Sequence, residues 1–228
     1  MESEHWQGTF QSIGSSLFEA RFVVLDCETS GGAPHLGAGI TEIGAVKVQG
    51  GKILDTFSAL INPGHPIPSY ITALTGIDNL MVENSPFIST VLPSLFEFFE
   101  DDSTVFVAQN APFDLSFLKF AATQSGYSWP KMRILDTAVL ARRVLDREEA
   151  PDCKLSTLAS LFGATTQPNH RALDDALATV DVLHGLFERL SGFDIYTVEE
   201  VLAFTAPKRL KSKAQPNDRA NPKPSPTQ

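Results

Sequence analysis

The stretch Phe22-Val23-Val24-Leu25-Asp26-Cys27-Glu28-Thr29 decides the fold. Four apolar residues in a row, two of them β-branched, read as a strand buried on both faces. The run then turns acidic. Side chains at i and i+2 of a strand share a face, so Asp26 and Glu28 converge while Cys27 points away. Taken alone, the pair reads equally well as a polar strand end entering a loop and as two ligands for a cation. Adjacent carboxylates repel, which raises a pKa unless a cation compensates. A set of oxygen-only ligands favours Mg²⁺ or Mn²⁺ over zinc.

Working outward, the segment from Ser30 to Gly39 carries Gly31, Gly32, Pro34, Gly37 and Gly39 and reads as a loop. Ile40 to Val48 and Lys52 to Ile61 read as two strands joined by Gly50-Gly51, a two-residue hairpin signal. Tyr70 to Leu74 and Pro86 to Phe99 are expected to be helical, with Pro93 predicting a kink or a late start in the second. Thr104 to Ala108 reads as another short buried strand, and Pro112 to Gln124 as a helix with proline near its first turn. Ile134 to Thr137 ends a short strand, Thr137 to Leu145 is helical, and Leu155 to Phe162 is a helix stopped by Gly163.

The longest helical pattern spans Ala172 to Leu190. Leu173, Ala176, Leu177, Val180, Leu183, Phe187 and Leu190 mark its expected buried stripe. Val198 to Ala203 predicts a minor helix. The sum is an α/β fold: an antiparallel hairpin followed by alternating strands and helices, hence a mixed five-stranded sheet flanked by helices.

Two further polar clusters sit at element boundaries. Asn110-Ala111-Pro112-Phe113-Asp114 follows the apolar run Val105 to Ala108. Asp114 there reads as an acid that complements a helix dipole, and Asn110 as a loop or N-cap residue. His170-Arg171-Ala172-Leu173-Asp174-Asp175 heads the long helix. Periodicity places Asp175 off the expected stripe and does not choose between it and Asp174. A histidine at such a site suits general-base work, because it titrates near neutrality. The order and spacing of the three clusters, and the elements that carry them, point jointly to metal-dependent cleavage of phosphodiesters.

The 228 residues fit one domain. No uninterrupted apolar run is long enough to span a membrane, the N-terminus lacks a secretory pattern, and the two cysteines suit a reducing cytoplasm. The expected layout is a lead-in over residues 1–19, a domain over 20–206, and a basic, proline-rich, disordered tail over 207–228. The net charge of -9 argues against a long, non-specific grip on duplex DNA. It is unevenly spread: Pro207 to Gln228 holds six basic residues against one acid, which leaves -14 on the remainder.

With all three clusters in view, the chain resembles the DEDD exonuclease superfamily, in its histidine-bearing DEDDh branch, which includes the proofreading epsilon subunits of bacterial replicases. The similarity covers about residues 20–190. Asp26 to Thr29 matches the first motif and Asn110 to Asp114 the second. His170, followed five residues on by Asp175, matches the third, which selects Asp175 over Asp174. Glu42-Ile43-Gly44-Ala45-Val46, Leu74-Thr75-Gly76-Ile77 and Leu135-Asp136-Thr137 add to the match. Ser30 stands where threonine is common, and Gln109 where a histidine often precedes the asparagine.

The resemblance implies a ribonuclease H-like fold and a two-metal 3′-to-5′ exonuclease that releases nucleoside 5′-monophosphates. Asp26, Glu28, Asp114 and Asp175 would hold two Mg²⁺ or Mn²⁺ ions, and His170 would take the proton from water. Thr29, Leu74, Thr75 and Asn110 would lie near the substrate. The expected substrate is the 3′ end of single-stranded or frayed DNA, in proofreading or repair, with a DNA polymerase subunit as a candidate partner and no membrane. The alternatives are an exoribonuclease trimming RNA or oligonucleotides and, least favoured, a non-catalytic nucleic-acid-binding module. Tyr196 to Leu202 and the basic stretch beyond also resemble the linker of exonuclease domains fused to UvrC-like modules, of which no second module follows before Gln228.

Overall fold

The computed structural model describes residues 14–207. Most of the lead-in, and all of the basic stretch after Pro207, lie outside the described residues. Five strands form one mixed sheet: β1 (Arg21–Thr29), β2 (Ile40–Gln49), β3 (Lys52–Leu60), β4 (Val105–Ala108) and β5 (Arg133–Asp136). Their order is β3-β2-β1-β4-β5. The β1–β2 and β2–β3 pairs are antiparallel, and β4 pairs parallel with both β1 and β5. Gly50 and Gly51 both take positive φ at the hairpin tip, as a two-residue turn of this hand requires.

Among the described residues there are eight α-helices: α1 (Ser69–Thr75), α2 (Asn79–Val82), α3 (Ile88–Phe99), α4 (Ala111–Gln124), α5 (Thr137–Val144), α6 (Leu155–Phe162), α7 (Ala172–Leu190) and α8 (Val198–Thr205). Alternation along the strands splits the core in two. Phe22, Val24, Val46, Val48, Val105 and Val107 face one layer, with Leu140, Leu158, Leu183 and Leu186 from α5, α6 and α7. Val23, Leu25, Ile43, Ala45 and Phe106 face the other, with Leu92, Leu95, Phe117 and Leu118 from α3 and α4. The flanked five-stranded sheet is therefore the one the sequence predicts. A third, separate cluster of Ile67, Ile71, Ile77 and Val82 anchors α1 and α2. The four-residue α2 carries too little periodicity to be read from sequence.

Two details refine the sequence reading. α3 starts at Ile88, two residues later than expected, and carries Pro93 inside it. The proline costs one backbone hydrogen bond, and burial of Leu92, Leu95, Phe98 and Phe99 offsets it. The buried face of α7 also differs. Ala172, Asp175, Ala176, Thr179, Val182, Leu183, Leu186 and Leu190 are buried, whereas Leu173, Leu177 and Phe187 are only partly so. Ala176, Val180, Leu183 and Leu190 of the expected stripe are buried, and small residues such as Ala172 and Thr179 extend the buried face toward the helix start.

Gly44 shows how close that approach is. A Cβ at this position of β2 would collide with the backbone of Ala172 and Leu173 at the start of α7. Gly44→Ala is therefore expected to lower the melting temperature by about 2–12 °C, the usual range for overpacking in a domain of this size. Gly192→Ala, where nothing lies within 4 Å, is the control in thermal unfolding followed by circular dichroism. Equal melting of the two variants would refute the tight docking of α7.

Candidate active site

The face of β1 that holds Phe22 and Val24 against α7 continues into Asp26 and Glu28. Apolar packing thus gives way to carboxylates on one face of a single strand. The register shifts between Glu28 and Thr29, a bulge at the strand end that re-aims the chain into the loop beyond. Cys27 points into the opposite core, and burial pushes its thiol pKa well up, so it is no nucleophile.

β4 delivers the second cluster. Asn110 sits in the left-handed region (φ 64°, ψ 51°) and turns the chain from strand to helix. Asparagine tolerates that conformation better than most residues. Its side chain makes no capping bond, and its backbone N–H donates to Asp136. Asp114 follows in the first turn of α4 and is buried. Its carboxylate accepts the backbone N–H of Cys27 at 3.0 Å, which ties α4 to β1.

The third cluster is held by an ion pair. Glu42 on β2 stands directly across from Glu28 on β1. Only 3% exposed, it accepts Nε and Nη2 of Arg171 at 3.1 and 2.7 Å and the Ala172 N–H at 2.9 Å. That forked grip fixes the turn before α7, where His170 takes φ 60°. Asn169 then separates the two neighbouring acids. Its amide donates to Asp174 at 2.7 Å, and its backbone N–H donates to Asp175 at 2.9 Å. Asp175 is 7% exposed.

Asp26, Glu28, Asp114, His170 and Asp175 all line one cleft of about 380 Å³. Ligand atoms of Glu28, His170 and Asp175 lie within 4.8 Å of one another. Larger hollows, of about 550 Å³ at the far end of the sheet and about 720 Å³ beside α8, bring no such set of acids together. Burial, then the charges of Asp114, Glu28, Asp175 and Glu42, hold the Asp26 carboxyl well above the usual carboxylate range. Burial, then Asp175, Glu42 and Asp114, push Glu28 up to about 8. Burial likewise raises Asp114 and Asp175. Glu42 has Arg171, whereas these four acids have no comparable basic partner among the described residues. A hard divalent cation is the partner that such a donor set fits.

Of the expected substrate contacts, Thr29, Leu74 and Thr75 line the cleft and Asn110 does not. Thr29 donates its hydroxyl to the Gly31 carbonyl at 2.8 Å. Thr75 donates to Ile71 and accepts from Ile77, both at 3.1 Å, so it serves the local fold of α1. Gly31, Gly32, Ile71, Gln109, Phe113 and Leu155 also line it, as does part of Cys27, and none was singled out as a contact from sequence. Gln109 is fully engaged: its amide donates to Cys153 and its carbonyl accepts from Thr137. It thereby pins the segment before α6, whose Leu155 forms part of the wall.

A family model described as exonuclease (RNase_T) matches residues 23–183. A Mycobacterium tuberculosis (strain CDC 1551 / Oshkosh) protein named as a bifunctional exonuclease/endonuclease is 50% identical over 194 residues, 83% of this chain and 30% of its own length. A PolC-type DNA polymerase III of Caldanaerobacter subterraneus subsp. tengcongensis is 42% identical over 183 residues, 80% of this chain and 13% of the polymerase. The chain thus spans less than a third of the length of either relative. Among solved structures, Exonuclease X in complex with 5′ overhanging duplex DNA aligns with a TM-score of 0.61 and 27% identity, over 81% of this chain and 99% of that one. By family match, fold and the motifs gathered in one cleft, the chain belongs to the RNase_T exonuclease family, as its resemblance to the DEDD nucleases implies.

Proposed function

We propose that residues 20–206 form a metal-dependent 3′-to-5′ exonuclease domain that releases nucleoside 5′-monophosphates from DNA ends, in proofreading or repair. The observation that carries this reading is the convergence of Asp26, Glu28, Asp114, Asp175 and His170 in one cleft. Similarity to a PolC-type polymerase and to Exonuclease X favours DNA as the substrate and a polymerase subunit as the partner.

Asp26, Glu28, Asp114 and Asp175 would hold two Mg²⁺ or Mn²⁺ ions, whose charge, when bound, lowers the pKa of water and stabilises the departing 3′ oxygen. His170 is exposed and held beside Glu28 and Asp175, so its imidazole can accept the proton of the attacking water and pass it to solvent. The new bond joins the water oxygen to the terminal phosphorus. The bond to the 3′ oxygen breaks, which leaves a 3′-hydroxyl on the shortened strand. Leu74 and Thr75 on α1 form the wall against which the terminal nucleoside rests.

Cleavage assays with 5′-labelled single-stranded DNA, matched and mismatched primer–template, and RNA test this reading. Stepwise 3′ shortening is expected, with loss of at least about a hundredfold in kcat for Asp175→Ala and for His170→Ala. A ranking with RNA first would replace the DNA assignment with the exoribonuclease one. A folded protein that shortens nothing would leave a binding module.

Metal dependence has its own signature in stability. A carboxyl raised from 4.5 to about 8 on folding makes the native state hold the extra proton. In metal-free protein this contribution is complete below the unfolded value and is lost as pH rises through about 8. The melting temperature in EDTA should therefore fall between about pH 6 and about pH 8. Divalent cations need the ionised carboxylates, so Mg²⁺ or Mn²⁺ should raise it more at the higher pH. An equal rise at both pH values would argue against these acids as the ligands.

A further inference from the structure

The exonuclease reading places a terminal nucleotide in the cleft, and one exposed aromatic side chain lies a helical turn from a residue of the cleft's lining. Leu74 lines the cleft. Tyr70 lies one helical turn earlier on α1, so the two side chains are neighbours on one helix face, about 5–6 Å apart at Cβ. Tyr70 is 67% exposed and Leu74 53%, although the same helix buries Ile71 and Thr75. An exposed tyrosine alone needs no explanation. Continuity with the cleft wall is what singles this one out.

The helix beneath has its own anchor. Ile71 packs in the cluster with Ile67, Ile77 and Val82, and Gly76 closes the helix in the left-handed region with its N–H on Thr72. Tyr70 is thus an aromatic face on an anchored helix, one turn from the cleft lining and outside its carboxylates.

Charge explains why such a face is needed. The domain is strongly acidic, and the cleft adds four carboxylates, so phosphate contacts with basic residues are a poor source of affinity. Base stacking on an aromatic ring supplies affinity without charge, and it tolerates any sequence.

We infer that Tyr70 is a stacking platform for the base next to the terminal nucleotide, and that the site takes strand ends with at least two unpaired nucleotides. This rests on the exonuclease reading of the cleft. Tyr70 touches no reacting atom. It positions the strand and sets the preference for unpaired ends.

The test compares two substrates, a single-stranded oligonucleotide and the p-nitrophenyl ester of thymidine 5′-monophosphate, which has no second base. In Tyr70→Ala the ratio of kcat/KM for the oligonucleotide to that for the ester should fall about tenfold, through KM, with Tyr70→Phe restoring it. KM for the oligonucleotide should depend only weakly on salt. A ratio unchanged in Tyr70→Ala, or equal losses on both substrates, would overturn the platform. Fluorescence anisotropy of a labelled oligonucleotide on Asp175→Ala, with and without Tyr70→Ala, separates the two readings. Weaker binding in the double variant of a protein whose native form cleaves neither substrate would keep the platform and reject the exonuclease. Unchanged binding would reject the platform whatever the native form cleaves.

Discussion

Glu28 and Glu42 face each other across adjacent antiparallel strands, and the disposition of the site follows from how that repulsion is resolved. Like charges directly opposed on a sheet destabilise it. Glu42 is compensated from within, by the forked Arg171 and the Ala172 N–H. Glu28 is not, and its carboxyl titrates near 8 beside Asp175. One glutamate is neutralised within the fold, and the other has no comparable basic partner among the described residues. Because Arg171 sits between His170 and α7, neutralising Glu42 also sets the turn that presents His170 and Asp175.

The sheet makes this arrangement possible through parity. Phe22, Val24, Asp26 and Glu28 share a face of β1, and Val48, Val46, Gly44 and Glu42 share the same face of β2 in matching register. α7 lies over both series. Its body covers the apolar part, its start crosses Gly44, and its first turn meets the acids. The hydrophobic effect that docks α7 therefore also concentrates negative charge at its N-terminal end, where the helix dipole is favourable to carboxylates. Stability and function oppose each other there, as expected where buried acids stand ready for a ligand.

The parity of Asp26 and Glu28 was legible in the sequence because a strand period of two is strict. The hairpin and the mixed, helix-flanked sheet followed from Gly50-Gly51 and the short apolar runs set between helical patterns, whereas the strand order emerged only from the structure. Asp175 was legible only through family resemblance. The expected stripe left it out, because Ala172 and Thr179, which flank it on the buried face, carry little hydrophobic signal. Asn110, expected near the substrate, supplies a left-handed turn after β4 and is not part of the cleft lining. Gln109 and Leu155 could not have been placed, since what they do depends on a contact between segments 44 residues apart. Glu42 left a trace, an acid within a largely apolar strand, but its partner lay 129 residues away.

The cleft is assembled from two independently supported parts. The carboxylates ride on β1, α4 and α7, all packed into the main core. The wall formed by α1 rests on its own small cluster of four aliphatic side chains. Local stability in proteins tends to follow such units, and a small cluster opens at lower cost than a large one. The wall can therefore yield to an entering strand end while the acids keep their spacing. That division suits a site whose chemistry needs fixed geometry but whose substrate is a different base at each turn of the reaction. Rigid placement belongs to the groups that act on the phosphodiester, which is invariant. Adaptable apolar contact belongs to the base, which is not.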